Sequence, residues 1–100
     1  MDGYIFENCV KIAKALGDLT RFRIIRVLSG SEESVSKIAE KLGMTQSAIS
    51  HQLKILKDND LVKSKRRGKE VIYSLFDNHV EVILEQIFIH ASHSNYEQKS

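Results

Sequence analysis

Apolar residues recur at helical spacing in five stretches of the chain, and the pattern changes to an extended one around a single glycine near residue 68. From about Tyr4 to Leu16, Ile5, Cys9, Ile12, Ala13 and Leu16 keep this spacing, and Gly17 ends the run. Asp18 is placed to cap a second helix, whose Phe22, Ile25 and Leu28 share one face up to Ser29-Gly30. The spacing predicts a short third helix over Ser34 to Leu42, with Val35, Ile38, Ala39 and Leu42 inward and Gly43 closing it. Thr45 then caps a fourth helix, Gln46 to about Asn59, with Ile49, Leu53 and Leu56 as its buried stripe.

Two helices joined by a short glycine-containing turn form a helix-turn-helix, here over about residues 34–59. Beyond Asp60, the runs Leu61 to Arg66 and Glu70 to Leu75 flank Gly68 and read as a β-hairpin, a wing over about 62–75. The last helix starts near Asp77-Asn78 and continues to about Ser92. Val80, Val82, Ile83, Leu84, Ile87, Phe88 and Ile89 make it apolar around most of its circumference, so it has two faces to bury, one on the core and one on a partner subunit. The expected architecture is mainly α with a small β-hairpin. It is a winged helix-turn-helix in the order α-α-α-α-β-β-α, one domain over 1–100, forming a homodimer through helices at about 4–16 and 78–92.

Composition narrows the function. One hundred residues, 42% of them hydrophobic, make one small domain, so any sensing must occur inside the DNA-binding fold itself. The chain lacks a long apolar run and a charged-then-apolar leader, which points to a cytoplasmic protein without a membrane span. The lone Cys9 rules out an intrachain disulfide or a dithiol sensor. The net charge of +2 is small, but it is unevenly spread: Lys54 to Lys69 holds seven basic residues against two acidic ones.

That basic stretch begins inside the helix expected to enter the major groove. Gln46, Ser47, Ser50 and His51 lie near its N-terminus, away from Ile49 and Leu53, and are the candidate base-reading residues. Glutamine pairs bidentately with adenine, whereas Ser and His donate to bases or phosphates. Lys54 follows on the same helix as a backbone contact. Lys65, Arg66, Arg67 and Lys69 of the wing, with Lys63, are expected along phosphates or at the minor groove, where they add salt-sensitive affinity. The partner is therefore operator DNA.

The last helix also carries Asp77, His79, His90 and His93, and steps of three and four residues place 79, 83, 86, 90 and 93 on one stripe. Eleven residues of helix separate His79 from His90 by about 16 Å, so one helix cannot bring all four groups to one ion, whose nitrogen ligands sit at about 2.0–2.1 Å. Two such helices packed antiparallel near Glu85 and Gln86 bring the start of one to the end of the other. Each of two intersubunit sites per dimer then takes Asp77 and His79 from one subunit and His90 and His93 from the other. Three imidazoles and a carboxylate suit four-coordinate Zn2+ or Co2+. They also saturate the ion, and no separate base or nucleophile lies beside them, so the cluster does not read as an enzyme's.

Taken together, these residues resemble the ArsR/SmtB family of metal-sensing winged-helix repressors over about Ile12 to His93. The motifs that carry the resemblance are Ala15-Leu16-Gly17-Asp18 with Arg21 and Arg23-Ile24, then Gln46 to Lys54, then Gly68 and Tyr73-Ser74-Leu75. The Asp-x-His and His-x-x-His ends are similar to the paired last-helix site of CzrA-type zinc/cobalt sensors. The resemblance implies that Asp77, His79, His90 and His93 are ligands, that the apo dimer represses and that metal releases it. It also implies a hydrogen bond from His90 toward the recognition-helix region. The family's other metal site uses third-helix cysteines, which Glu33 to Ile38 lacks; Cys9 is an unmatched extra. The competing reading is a repressor of the same family that answers a non-metal signal, such as an oxidant at Cys9 or a protein partner.

Overall fold

The computed structural model describes residues 2–93. Its elements are α1 (Gly3–Leu16), α2 (Leu19–Val27), β1 (Glu33–Ser34), α3 (Val35–Leu42), α4 (Gln46–Asp58), β2 (Val62–Arg67), β3 (Glu70–Leu75) and α5 (Asn78–Ala91).

Each helix starts where a short polar side chain takes up an otherwise unpaired backbone N–H. Asp18 accepts from the N–H of Arg21 at 3.0 Å, Ser34 from that of Lys37 at 3.2 Å and Thr45 from that of Ala48 at 3.1 Å. The turn between α3 and α4 depends on Gly43, which ends α3 in the left-handed region at φ 65°, a conformation that costs glycine little. Ile24, Ile25, Ile38, Ile49, Leu53 and Leu56 are fully buried at the centre, with Ala15, Leu61, Val62, Leu75, Val80 and Leu84 around them. The apolar faces of α2, α3 and α4 therefore meet in one core, and burial of this kind sets the angle of α4.

Three details depart from the sequence expectation. A short strand precedes α3: Glu33 pairs with Tyr73 and Ser34 with Ile72, giving a three-stranded antiparallel sheet in the order β1-β3-β2. Two residues carry no alternation, so nothing in the sequence announced β1; it exists because the free edge of β3 offers backbone partners. Ser34 is accordingly the cap of α3, not its first residue. In α1 it is Ala15 that is buried, while Ala13 faces solvent. The contact made by α2 with the end of α1 decides that rotation.

In the wing, Val62 pairs with Leu75 and Arg67 with Glu70. Gly68 takes φ 62° as the first of the two turn residues, the place where a type II′ hairpin turn needs glycine. Helix α5 is tied to the turn that follows α2 and to α2 itself. Glu81 accepts from the Ser29 hydroxyl at 2.6 Å and from the Gly30 N–H at 3.2 Å. Further along, the Phe88 ring lies 5.5 Å from that of Phe22, with the Arg26 guanidinium 4.4 Å from its centre.

Candidate nucleic-acid interface and metal half-sites

The polar residues at the start of α4 are presented by the burial of their neighbours. Ile49, Leu53 and Leu56 are sealed in the core, so Gln46, Ser47, Ser50, His51 and Lys54 all emerge on the opposite, exposed side. A cleft of about 370 Å³ runs between this helix end, the start of α3 and the wing tip, lined by Ser34, Ser36, Gln46, Ser50, Lys69 and Val71. Gln46 and Ser50, two of the four residues expected to read DNA, thus border one concavity with Lys69 and Glu70 at the tip of the hairpin. Behind them Arg21 is a junction: its guanidinium donates to the Ala15 carbonyl at 2.8 Å and to Gln52 Oε1 of α4 at 3.0 Å.

Strand register divides the wing cations. Residues directly opposite in the ladder share a face, so Lys65 lies beside Ile72, on the side away from the Val62–Leu75 core pair. Lys63 and Arg67 follow Lys65 onto this face, while Arg66 takes the other. Lys65 and Arg67 are already engaged: Glu32 accepts from Arg67 at 2.6 Å and pairs with Lys65 at 3.2 Å. The Arg67 and Lys65 bonds hold the Glu32 carboxyl below the usual glutamate range. Glu32 was not among the residues picked from the sequence. Its only signal there is an acidic residue before a short strand, and the pairing depends on β1 joining the sheet. On α4, Lys54 pairs with Asp58 at 3.3 Å.

The metal candidates fall at the two ends of α5, as the helical arithmetic requires. Asp77 caps the helix, accepting from the N–H groups of His79 at 2.9 Å and Val80 at 3.3 Å. Its second oxygen lies 3.1 Å from His79 Nδ1. Desolvation, the largest influence on this carboxyl, raises its pKa, but the bonds from Val80 and His79 outweigh it and leave it below the ordinary aspartate range. At the other end the His90 and His93 rings are 5.7 Å apart, centre to centre. Among the described residues of one protomer, no three His, Cys, Asp or Glu side chains gather around a common point.

The spacing within each pair can be set beside that of a metal's ligands. Two ligands of a tetrahedral zinc at about 2.0–2.1 Å are about 3.3 Å apart, close to the 3.1 Å between Asp77 Oδ2 and His79 Nδ1. Two imidazoles on one such ion have ring centres about 5 Å apart, close to the spacing of His90 and His93. Each end thus holds two of the four candidate nitrogen and oxygen donors.

On the surface between these ends, α5 exposes Val82, Ile83, Ile87 and Ile89, and α1 exposes Tyr4, Ile5, Phe6 and Val10. Exposed apolar residues gathered on two helices suit a protein contact. Cys9 is also exposed. Among the described residues, no helix is long and apolar enough to cross a membrane.

Helix-turn-helix, basic hairpin and flanking helices together define a winged helix-turn-helix DNA-binding protein. Residues 18–64 match the model of the bacterial regulatory proteins of the arsR family. The chain is 39% identical over 93 residues to the HTH-type transcriptional regulator NmtR of Mycobacterium tuberculosis, covering 93% of this chain and 78% of that one. It is 40% identical over 84 residues to a cadmium resistance transcriptional regulatory protein CadC homolog of Staphylococcus aureus, covering 83% and 69%. Its fold is similar to that of a homodimeric winged helix-turn-helix DNA-binding domain from Mycobacterium bovis, with a TM-score of 0.85, 26% identity and coverage of 91% and 90%. The chain belongs to the arsR family of winged-helix transcriptional regulators and is not an enzyme.

Proposed function

We propose that this regulator is a homodimeric repressor that binds operator DNA when metal-free and is released by zinc or cobalt at two sites between its α5 helices. The observation that carries this reading is the placing of Asp77 beside His79 and of His90 beside His93 at opposite ends of one helix, with exposed apolar residues between them. Antiparallel pairing of two such faces buries Ile83 and Ile87 and brings Asp77 and His79 to the partner subunit's His90 and the partner subunit's His93. A relative named for cadmium resistance and a homodimeric structural neighbour agree with this reading.

Gln46, Ser47, Ser50 and His51 read base edges, and Lys54, Lys65, Arg66, Arg67 and Lys69 take phosphates. Divalent metal, when bound, supplies a cross-link that fixes the crossing of the two α5 helices. Because Phe88 and Glu81 fasten α5 to α2 and to the turn that follows it, and α2 packs on α4, a fixed crossing sets the separation of the two reading helices. By linkage, DNA lowers metal affinity by the factor by which metal lowers DNA affinity.

The test is fluorescence anisotropy with DNA from upstream of the protein's own gene, with and without zinc, for the native chain and His90→Ala. Zinc is expected to weaken the native complex and leave that of the variant unchanged. An equal response in both proteins, or none in either, would remove the α5 sites from the mechanism.

A further inference from the structure

Glu32 lies among the cations of the wing, where a DNA-binding surface gains nothing from negative charge. It belongs to the segment between α2 and β1, and β1 brings it beside the sheet. One carboxylate oxygen takes Arg67 at 2.6 Å and the other takes Lys65 at 3.2 Å. Lys65 and Arg67 are two residues apart on β2 and share one face of the hairpin, the face opposite the Val62–Leu75 pair. Among the described residues, Lys63, Arg66 and Lys69 have no such acidic partner. The neighbouring Glu33 takes Lys41 of α3 instead, at 3.0 Å.

We propose that Glu32 is an internal competitor of DNA phosphate. This rests on the DNA-binding reading above. A carboxylate and a phosphate offer a guanidinium or ammonium the same acceptor chemistry, so Lys65 and Arg67 serve one at the expense of the other. In the free protein they serve Glu32. On a duplex they turn to the backbone, and Glu32 is left close to phosphate as an uncompensated charge. The residue therefore lowers the affinity of the wing for every DNA sequence while leaving base reading by α4 untouched. For a repressor that must find one operator among many competing sites, weaker non-specific binding favours specificity.

The experiment compares the native chain, Glu32→Gln and Glu33→Gln on two labelled duplexes, the upstream DNA and a scrambled one, from about 50 to 200 mM salt. Glu32→Gln is expected to bind both duplexes roughly three- to tenfold more tightly at the low-salt end, with a salt slope steeper by about one. Glu33→Gln is expected to match the native chain. Equal gains for the two variants would show an effect of net charge alone and overturn the proposal. Weaker binding by Glu32→Gln at an unchanged slope would make Glu32 a brace for the wing and overturn it too. A native chain that bound neither duplex would sink the DNA reading itself.

Discussion

Arg21 reaches Gln52 across the interior edge of the fold, Nη1 donating to Oε1 at 3.0 Å, and so joins the end of α1 to the helix that carries the reading residues. The same guanidinium also donates to the carbonyls of Ala15 and Lys14 at 2.8 and 3.3 Å. Arg21→Ala removes three hydrogen bonds and is expected to cost about 1–3 kcal/mol, whereas Gln52→Leu removes one and costs less than about 1 kcal/mol. Urea unfolding of the two variants gives the order, and a reversed order would show that Gln52 is the anchor.

The proposed intersubunit arrangement makes a complementation test possible. His79→Ala and His90→Ala each destroy both sites of their own homodimer. In the mixed dimer, the His90→Ala subunit keeps Asp77 and His79, and the His79→Ala subunit keeps His90 and His93. One intact site is therefore expected per heterodimer, visible as recovered cobalt absorption when the two variants are unfolded and refolded together. Ligands drawn from a single subunit would give no recovery.

Ile83 and Ile87 are exposed on the protomer, so their replacement by Glu leaves the core of Ile24, Ile49 and Leu53 alone. A charge buried in a dimer interface is costly. Each variant is expected to keep its helical circular dichroism, sediment as a monomer and lose operator affinity at least about tenfold, because a dimer contacts two half-sites. A variant that stayed dimeric would place the interface elsewhere.

Leu53 is fully buried on α4, between residues that face outward. Leu53→Ala leaves a cavity and is expected to cost about 2–5 kcal/mol in chemical denaturation. Gln46→Ala, on the exposed side, is expected to change stability by less than about 0.5 kcal/mol while weakening operator binding.

Acid should uncouple Glu32. Its folded-state pKa is depressed by the Arg67 and Lys65 bonds, so its stabilising contribution is fully present above the ordinary glutamate value of about 4.3. It is lost as pH falls through the lower folded value. The native chain is thus expected to melt higher than Glu32→Gln at pH 7, with the gap closing below about pH 4. A gap independent of pH would mean that shape, not charge, is what Glu32 supplies.

Much of this was legible in the chain. Period, caps and glycines placed the five helices and the hairpin within a few residues, since Asp18, Thr45, Gly43 and Gly68 act on the backbone within one turn of themselves. The exposure of Gln46, Ser50 and His51 followed from Ile49 and Leu53, which lie on the other side of the same helix. The split of the metal candidates into two ends of α5 followed from rise per residue alone.

The tertiary structure decided what depends on neighbours distant in sequence. Strand β1 forms only because β3 has a free edge. Ala15, not Ala13, is buried because α2 lies against that side of α1. Glu32 meets Lys65 and Arg67, over thirty residues away, only once the sheet has three strands. Local periodicity and capping are properties of a few consecutive residues, so the sequence by itself determined them. Pairings that close long loops depend on where whole elements pack, and only the assembled core brings Glu32 to the wing and Arg21 to Gln52.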